Sequence, residues 1–166
     1  MKKIISIVIA TYNAQNNIYK CLTSIENVIS KDCEVIVIDG NSTDNTLDLL
    51  NQKKDLIDIL ISEPDNGIYD AWNKGIERST GEWIMFLGSD DLLLKNSLMN
   101  YINFLKKQSS NDYDYICAQN EYLNLDDKFI KNIGREPEWK LMKFYMSAAH
   151  VASLHNTKLF DQVGLF

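Results

Sequence analysis

The run Ile4-Ile5-Ser6-Ile7-Val8-Ile9 is β-branched at five of six positions. A strand with one wet face alternates apolar and polar residues; this one does not, so it reads as a strand covered on both faces. Such a strand needs layers packed above and below it, and the next hundred residues supply them. Ile18, Leu22, Ile25 and Ile29 recur at helical spacing. Glu34-Val35-Ile36-Val37-Ile38 is a second buried strand, and Ser42 or Thr43 is placed to cap a helix carrying Leu47 and Leu50. A third strand is expected over Ile57 to Ile61, followed by a helix with Ile68, Trp72 and Ile76 on one face, broken at Gly81. Trp83 to Leu87 gives a fourth strand, a central one with Ile36 to Ile38 near it in the sheet, and Leu98, Tyr101, Ile102 and Leu105 mark a further helix. Strand–helix units with short loops imply right-handed crossovers onto a mostly parallel sheet, a Rossmann-like α/β fold flanked by helices.

The rhythm changes after Ser109-Ser110-Asn111. Tyr113 to Ala118 is expected as a fifth strand and residues 119–134 as a strand pair around Asp126-Asp127. Pro137 opens a short helix through Met146, Ser147 to Leu154 is a strand, and Asn156 caps a helix ending at Gly164. The chain then stops on Leu165-Phe166, two apolar residues directly after a helix, which leads to the expectation of a C-terminal truncation. The apolar side chains of the tail, Trp139, Phe144, Tyr145, Leu159 and Phe160 among them, need a surface to bury against. An exposed patch or a homo-oligomer is expected in consequence.

Composition narrows the class. The apolar run Ile4 to Ala10 is seven residues long and has no small-residue cleavage site close by, so it reads as a first core strand rather than a signal peptide. No stretch approaches the roughly 18–20 apolar residues of a membrane helix. The net charge of −6 over 166 residues argues against a nucleic-acid partner and against docking on an anionic membrane. Cys21, Cys33 and Cys117 are odd in number and widely spaced, which suits free thiols in a reducing cytoplasm and no zinc site.

Ligands of an open α/β sheet bind at the carboxyl ends of its strands. Those positions read Thr11-Tyr12-Asn13, Asp39-Gly40-Asn41-Ser42, Glu63-Pro64-Asp65-Asn66 and Ser89-Asp90-Asp91. One rim would then hold Asp39, Asp65, Asp90 and Asp91, an arrangement that repels itself unless a cation or hydrogen-bond donors offset it. Oxygen ligands of this kind suit Mg²⁺ or Mn²⁺. The same residue types are also favoured in turns and helix caps, and for Asp44 and Asn45 the capping role is preferred. No P-loop, GxGxxG or GxSxG motif is present, which disfavours NTPases, dinucleotide oxidoreductases and α/β hydrolases. His150 and His155, the two histidines, read as structural.

Four segments carry a resemblance: Ile7 to Asn13, Val37 to Thr46, Glu63 to Gly75 (EPDNGIYDAWNKG) and Gly81 to Asp91. Together, in this order and spacing across residues 4–110, they resemble family 2 glycosyltransferases of the GT-A fold, and the third looks like the branch that builds bacterial surface polysaccharides. The resemblance implies a nucleotide-diphosphate-sugar donor, with UDP preferred, and a saccharide or lipid-linked saccharide acceptor. It implies that Thr11, Tyr12 and Asn13 frame the base, with Tyr12 packing on its ring, and that Asp39 accepts from the base N–H. Asp65 and Lys74 would line the nucleotide pocket, with Lys74 either facing the diphosphate or remaining a solvated helix lysine. Ser89-Asp90-Asp91 stands at the DxD position with Ser89 in place of the first acid; Asp90 would bind ribose and Asp91 the metal, Mn²⁺ or Mg²⁺.

On the same terms, residues 1–110 form the nucleotide-sugar-binding half and residues 111–166 the start of the acceptor-side half. The transfer would be inverting, and the full-length protein would be cytoplasmic, with peripheral membrane association one further expectation. In relatives the catalytic base lies downstream of a segment like Ala149-His150 and residues 159–166, so the catalytic residue is left unassigned. Three other readings compete. A receiver-like signalling module needs paired acids where this chain has Ala10-Thr11-Tyr12. A nucleotidyltransferase needs a Gly-rich loop there. A non-catalytic nucleotide-sugar-binding fragment fits the missing base.

Overall fold

The computed structural model describes residues 2–107, 113–124, 126–134, 140 and 148–166. Strand β1 (Ile5–Thr11) is buried at every position, as its unbroken apolar run requires. It lies between β2 (Cys33–Asp39) and β4 (Trp83–Gly88), parallel to both, and β3 (Ile59–Ser62) adds outside β2, also parallel. Helices α1 (Ile18–Glu26), α2 (Thr46–Gln52) and α3 (Ile68–Arg78) connect these strands, and α4 (Ser97–Lys107) follows β4. Beyond them come β5 (Tyr115–Ile116), the antiparallel hairpin β6 (Asn120–Leu123) and β7 (Phe129–Ile133), β8 (Leu154–Asn156) and α5 (Lys158–Val163). The main sheet runs β3-β2-β1-β4-β8-β5.

Alternate residues of each central strand feed one of two cores. Ile5, Ile7, Ile9, Val35, Val37, Met85 and Leu87 pack with Ile18, Leu22, Ile25, Leu50, Leu98 and Ile102. Val8, Ala10, Ile36, Ile38, Ile84 and Phe86 pack with Ala71 and Trp72 of α3. Burying each large aliphatic side chain is worth roughly 1.5–3 kcal/mol, so the two faces together account for the preference for this sheet.

Several expectations are corrected. Of the expected α3 face, Trp72 is buried and Ile76 packs partly buried beside it, but Ile68 is 47% exposed and Ala71 and Gly75 meet the sheet with Trp72. A Cβ at Gly75 would stand 2.2 Å from Val8 Cγ1, so the glycine lets the helix lie on β1 more closely than an isoleucine face could. The third strand starts at Ile59 rather than Ile57, because Asp58 turns its carboxylate onto the Val35 N–H at 2.8 Å. Neither Ser42 nor Thr43 caps α2; Asp44 Oδ1 accepts from the Thr46 N–H at 2.9 Å instead. The fourth strand and the second are separated by β1. The expected strand over Ser147 to Leu154 is instead the short β8, antiparallel to β4. The helix expected from Pro137 to Met146 falls, apart from Lys140, outside the described residues.

Glu34, at the start of β2, is 5% exposed and takes hydrogen bonds from the Ser6 hydroxyl, the Thr80 N–H and hydroxyl and the Gly81 N–H. It ties β1, β2 and the α3–β4 turn together at the end of the sheet away from the strand C-termini. Glu34→Ala strands these donors and should cost roughly 3 kcal/mol; an unchanged urea midpoint would show that the carboxylate holds nothing.

His150 and His155 enter an aromatic cluster on the α3 face. His150 stacks on Trp72 with ring centroids 5.0 Å apart, and His155 packs edge-on to Phe86 at 5.3 Å. Phe166 joins the same cluster against Tyr69, Trp72 and Phe86, its backbone bonded at both N and O to the Asn73 side chain. Burial, aided by the neighbouring His150, holds the His155 pKa down at about 4. Below its ordinary value the unfolded chain takes up a proton that the folded chain refuses, so stability falls as pH drops. Between about pH 7.5 and 4 this group should remove roughly 3 kcal/mol. Urea unfolding across that window should show a shallower fall for His155→Phe; parallel curves for the two proteins would disprove the linkage.

Candidate functional site

Because β1 to β4 run parallel, their C-terminal residues collect at one edge. Thr11, Asp39 and Ser62 are cross-strand partners in one row, and Ala10 pairs with Gly88 beside them. The loops leaving β1 and β2 are laced together. The Asn13 N–H donates to Ser42 Oγ at 2.8 Å, and the Thr43 N–H returns to Asn13 Oδ1 at 2.9 Å. The Ala14 N–H donates to Thr46 Oγ1, the Gln15 N–H to Asp44 Oδ2, and the Asn45 N–H to Gln15 Oε1. Asn13 and Asn41 take left-handed backbone conformations, which asparagine tolerates. Tyr12 is left 62% exposed between these fixed points.

The acids do not share one open rim as expected. Asp39 has no exposed surface. Its carboxylate accepts from the Ser42 N–H at 2.9 Å, from the Ser42 hydroxyl, and from the Ser62 hydroxyl at 2.7 Å. Asp65 is half-buried over Gly40, close enough that a Cβ there would meet Asp65 Oδ2 at 2.7 Å, and it accepts from the Gly67 N–H. Lys74 reaches back to the Pro64 carbonyl and to Glu63, both at 3.0 Å, and the Glu63 hydrogen bond raises its pKa. It clamps the β3–α3 loop. Thr11 is 4% exposed, and its hydroxyl finds no partner among the described residues.

The Gly88–Asp91 turn brings two acids together. Asp91 Oδ2 accepts from the Gly88 N–H at 2.7 Å. A Cβ at Gly88 would lie 2.9 Å from Asp90 Oδ1 and 3.2 Å from Asp91 Oδ2, so both carboxylates converge over the glycine. Burial, and to a lesser degree Asp90, raises the Asp91 pKa against the pull of the Gly88 N–H. Beneath the turn Cys21, fully buried, has its thiol pushed up to about 12 by burial and by both acids. Among the described residues no three His, Cys, Asp or Glu side chains form a metal-ligand cluster. A divalent cation here would therefore take two carboxylates from the chain and its other oxygens from diphosphate and water, as Mg²⁺ commonly does, and the converging pair fits that demand.

Ser42, Thr43, Gln15, Asp44 and Thr46 were not singled out from sequence as a lock between loops. Each carries the polar signal of a turn, but only the parallel register shows that the two turns face each other. Ser62 ends an otherwise apolar strand, which was the signal available for it. Among the described residues no helix is long and apolar enough to cross a membrane.

The model of glycosyl transferase family 2 matches residues 6–157. Over 125 residues the chain is 34% identical to the Escherichia coli UDP-Glc:alpha-D-GlcNAc-diphosphoundecaprenol beta-1,3-glucosyltransferase WfaP, covering 75% of this chain and 48% of that one. The S. aureus TarS structure in complex with UDP-GlcNAc shares the fold at TM-score 0.75 and 19% identity, over 96% of this chain and 47% of TarS. The mannosyltransferase PcManGT from Pyrobaculum calidifontis, in complex with GDP-Man and Mn²⁺, aligns at TM-score 0.72 and 18% identity over all of this chain and 48% of its own. The chain spans under half the length of the curated relatives it matches. With a largely parallel sheet, helices on both faces and an acidic turn after β4, it belongs to glycosyl transferase family 2, with the GT-A fold.

Proposed function

We propose that this chain is the donor-binding part of an inverting transferase that moves a sugar from UDP to a saccharide or lipid-linked saccharide acceptor. The observation that carries the reading is the convergence of Asp90 and Asp91 over Gly88, at the strand-end edge that also presents Tyr12. Two relatives support the donor: TarS was solved with UDP-GlcNAc, and WfaP is named for UDP-Glc and a diphosphoundecaprenol acceptor. Residues 1–110 would supply the donor half and residues 111–166 the beginning of the acceptor side.

Tyr12 stacks on the base, its loop held by Asn13 and Ser42. Thr11 and Asn13 frame the base, and Asp39 fixes the serines around it. Asp65, seated over Gly40, lines the nucleotide pocket. Lys74 keeps the loop that carries Asp65 in place and reaches the diphosphate only by releasing Glu63. Asp90, exposed, accepts from ribose hydroxyls. Asp91 and Asp90 would hold Mn²⁺ or Mg²⁺, which when bound neutralises the leaving diphosphate. A carboxylate base must take the acceptor hydroxyl proton as the oxygen attacks the anomeric carbon; we assign that role to none of the residues described. The three free thiols support a cytoplasmic setting. A homo-oligomer and peripheral contact with a membrane are part of the same proposal for the full-length protein.

Titration calorimetry with UDP tests the reading. UDP should bind in the presence of Mn²⁺ and weaken at least about tenfold, about 1.4 kcal/mol, on chelation or in Asp91→Ala. Equal affinity with and without the metal would end the metal role, and no UDP binding under either condition would overturn the donor assignment.

A further inference from the structure

We infer that Ser62 is the side chain through which the site reads the nucleotide base, and that it accepts a hydrogen bond from a donor edge such as the imide N–H of uracil. The inference rests on the donor-binding reading above and narrows it to a class of base. Its starting point is the row Thr11, Asp39, Ser62 across three parallel strands. Asp39 in the middle is wholly buried, so a ligand at the edge cannot reach its carboxylate directly. Two serine hydroxyls stand beside it, and they differ in one respect. Ser42 is used twice: its proton goes to Asp39 and its oxygen accepts from the Asn13 N–H. Ser62 is used once: its proton goes to Asp39 at 2.7 Å, no donor among the described residues reaches its oxygen, and the residue is exposed.

A hydroxyl carries one proton and two lone pairs, and an ionised carboxylate only accepts. The Ser62 proton therefore stays turned inward, because rotating it outward would strip a buried carboxylate of a partner. What Ser62 offers outside is an acceptor alone. An acceptor of fixed sense rejects a ligand that presents another acceptor, since both would be left unpaired. Uracil and thymine present an imide N–H and guanine an N1–H; cytosine N3 and adenine N1 present lone pairs. Tyr12, one residue past Thr11 in the same row, supplies a stacking face that tolerates any base. The preference between donor-edge and acceptor-edge bases is assigned to Ser62, with the Asp65 carboxylate over Gly40 lining the same pocket.

Calorimetry with UDP and CDP, each with Mn²⁺, on the unaltered chain, Ser62→Ala and Ser62→Thr tests this. The unaltered chain should prefer UDP. Ser62→Ala should weaken UDP about tenfold while leaving CDP unchanged, collapsing the ratio, and Ser62→Thr should restore it. Asp39→Asn, checked for native near-ultraviolet circular dichroism, gives Ser62 a carboxamide that can donate to it. The serine proton is then free to turn outward, and CDP should gain on UDP. A UDP/CDP ratio that survives Ser62→Ala, or an equal loss for both nucleotides, overturns this inference alone. An unaltered chain that binds neither nucleotide overturns the donor reading and this inference with it.

Discussion

A buried carboxylate sits at each end of β2: Glu34 below and Asp39 above, 5% and 0% exposed. Each gathers donors from neighbouring elements, Glu34 from β1 and the α3–β4 turn, Asp39 from its own loop and from β3. A buried charge without such donors would be prohibitively costly, so each acid dictates where its partners must lie. The lower one fixes how β1, β2 and the turn into β4 meet. The upper one fixes the two serines on which the edge of the site is built. Strand β2 is thus pinned at both ends by groups that tolerate little displacement, while the apolar residues between them supply the bulk of the burial.

The division of labour continues along the sheet. The face with α1, α2 and α4 is a broad aliphatic core. The α3 face is smaller and becomes aromatic toward β4, where Trp72, Phe86, His150 and His155 meet. The close seat of Gly75 on Val8 brings α3 down onto β1, and with it the loop that holds Asp65 over Gly40. The position of a loop acid therefore depends on a contact several residues into the following helix.

Much of this was legible in the residues. The strands β1, β2 and β4 announced themselves by unbroken β-branched and apolar runs, and the acids after them by type. What failed was anything that depends on a partner distant in sequence. Asp39 looked like a rim acid, yet Ser42 and Ser62 enclose it. Ile68 has the right spacing for a buried helix face, but Ala71 and Gly75, being small, allow the tighter approach. Asp58 falls inside the strand expected over Ile57 to Ile61, yet it precedes β3 and accepts from the Val35 N–H. Spacing reports which side of an element a residue occupies. It does not report which element arrives on that side.

Strand β8 carries a consequence of its direction. Every strand from β1 to β4 delivers to the edge the residues that follow it, whereas β8, being antiparallel, delivers those that precede it: Leu154 pairs with Met85, and Ala152 bonds back to Phe86. His150, which precedes β8, thereby reaches Trp72. One antiparallel strand thus brings side chains from the second half of the chain onto the α3 face of a sheet whose four parallel strands keep their own polarity and pairing.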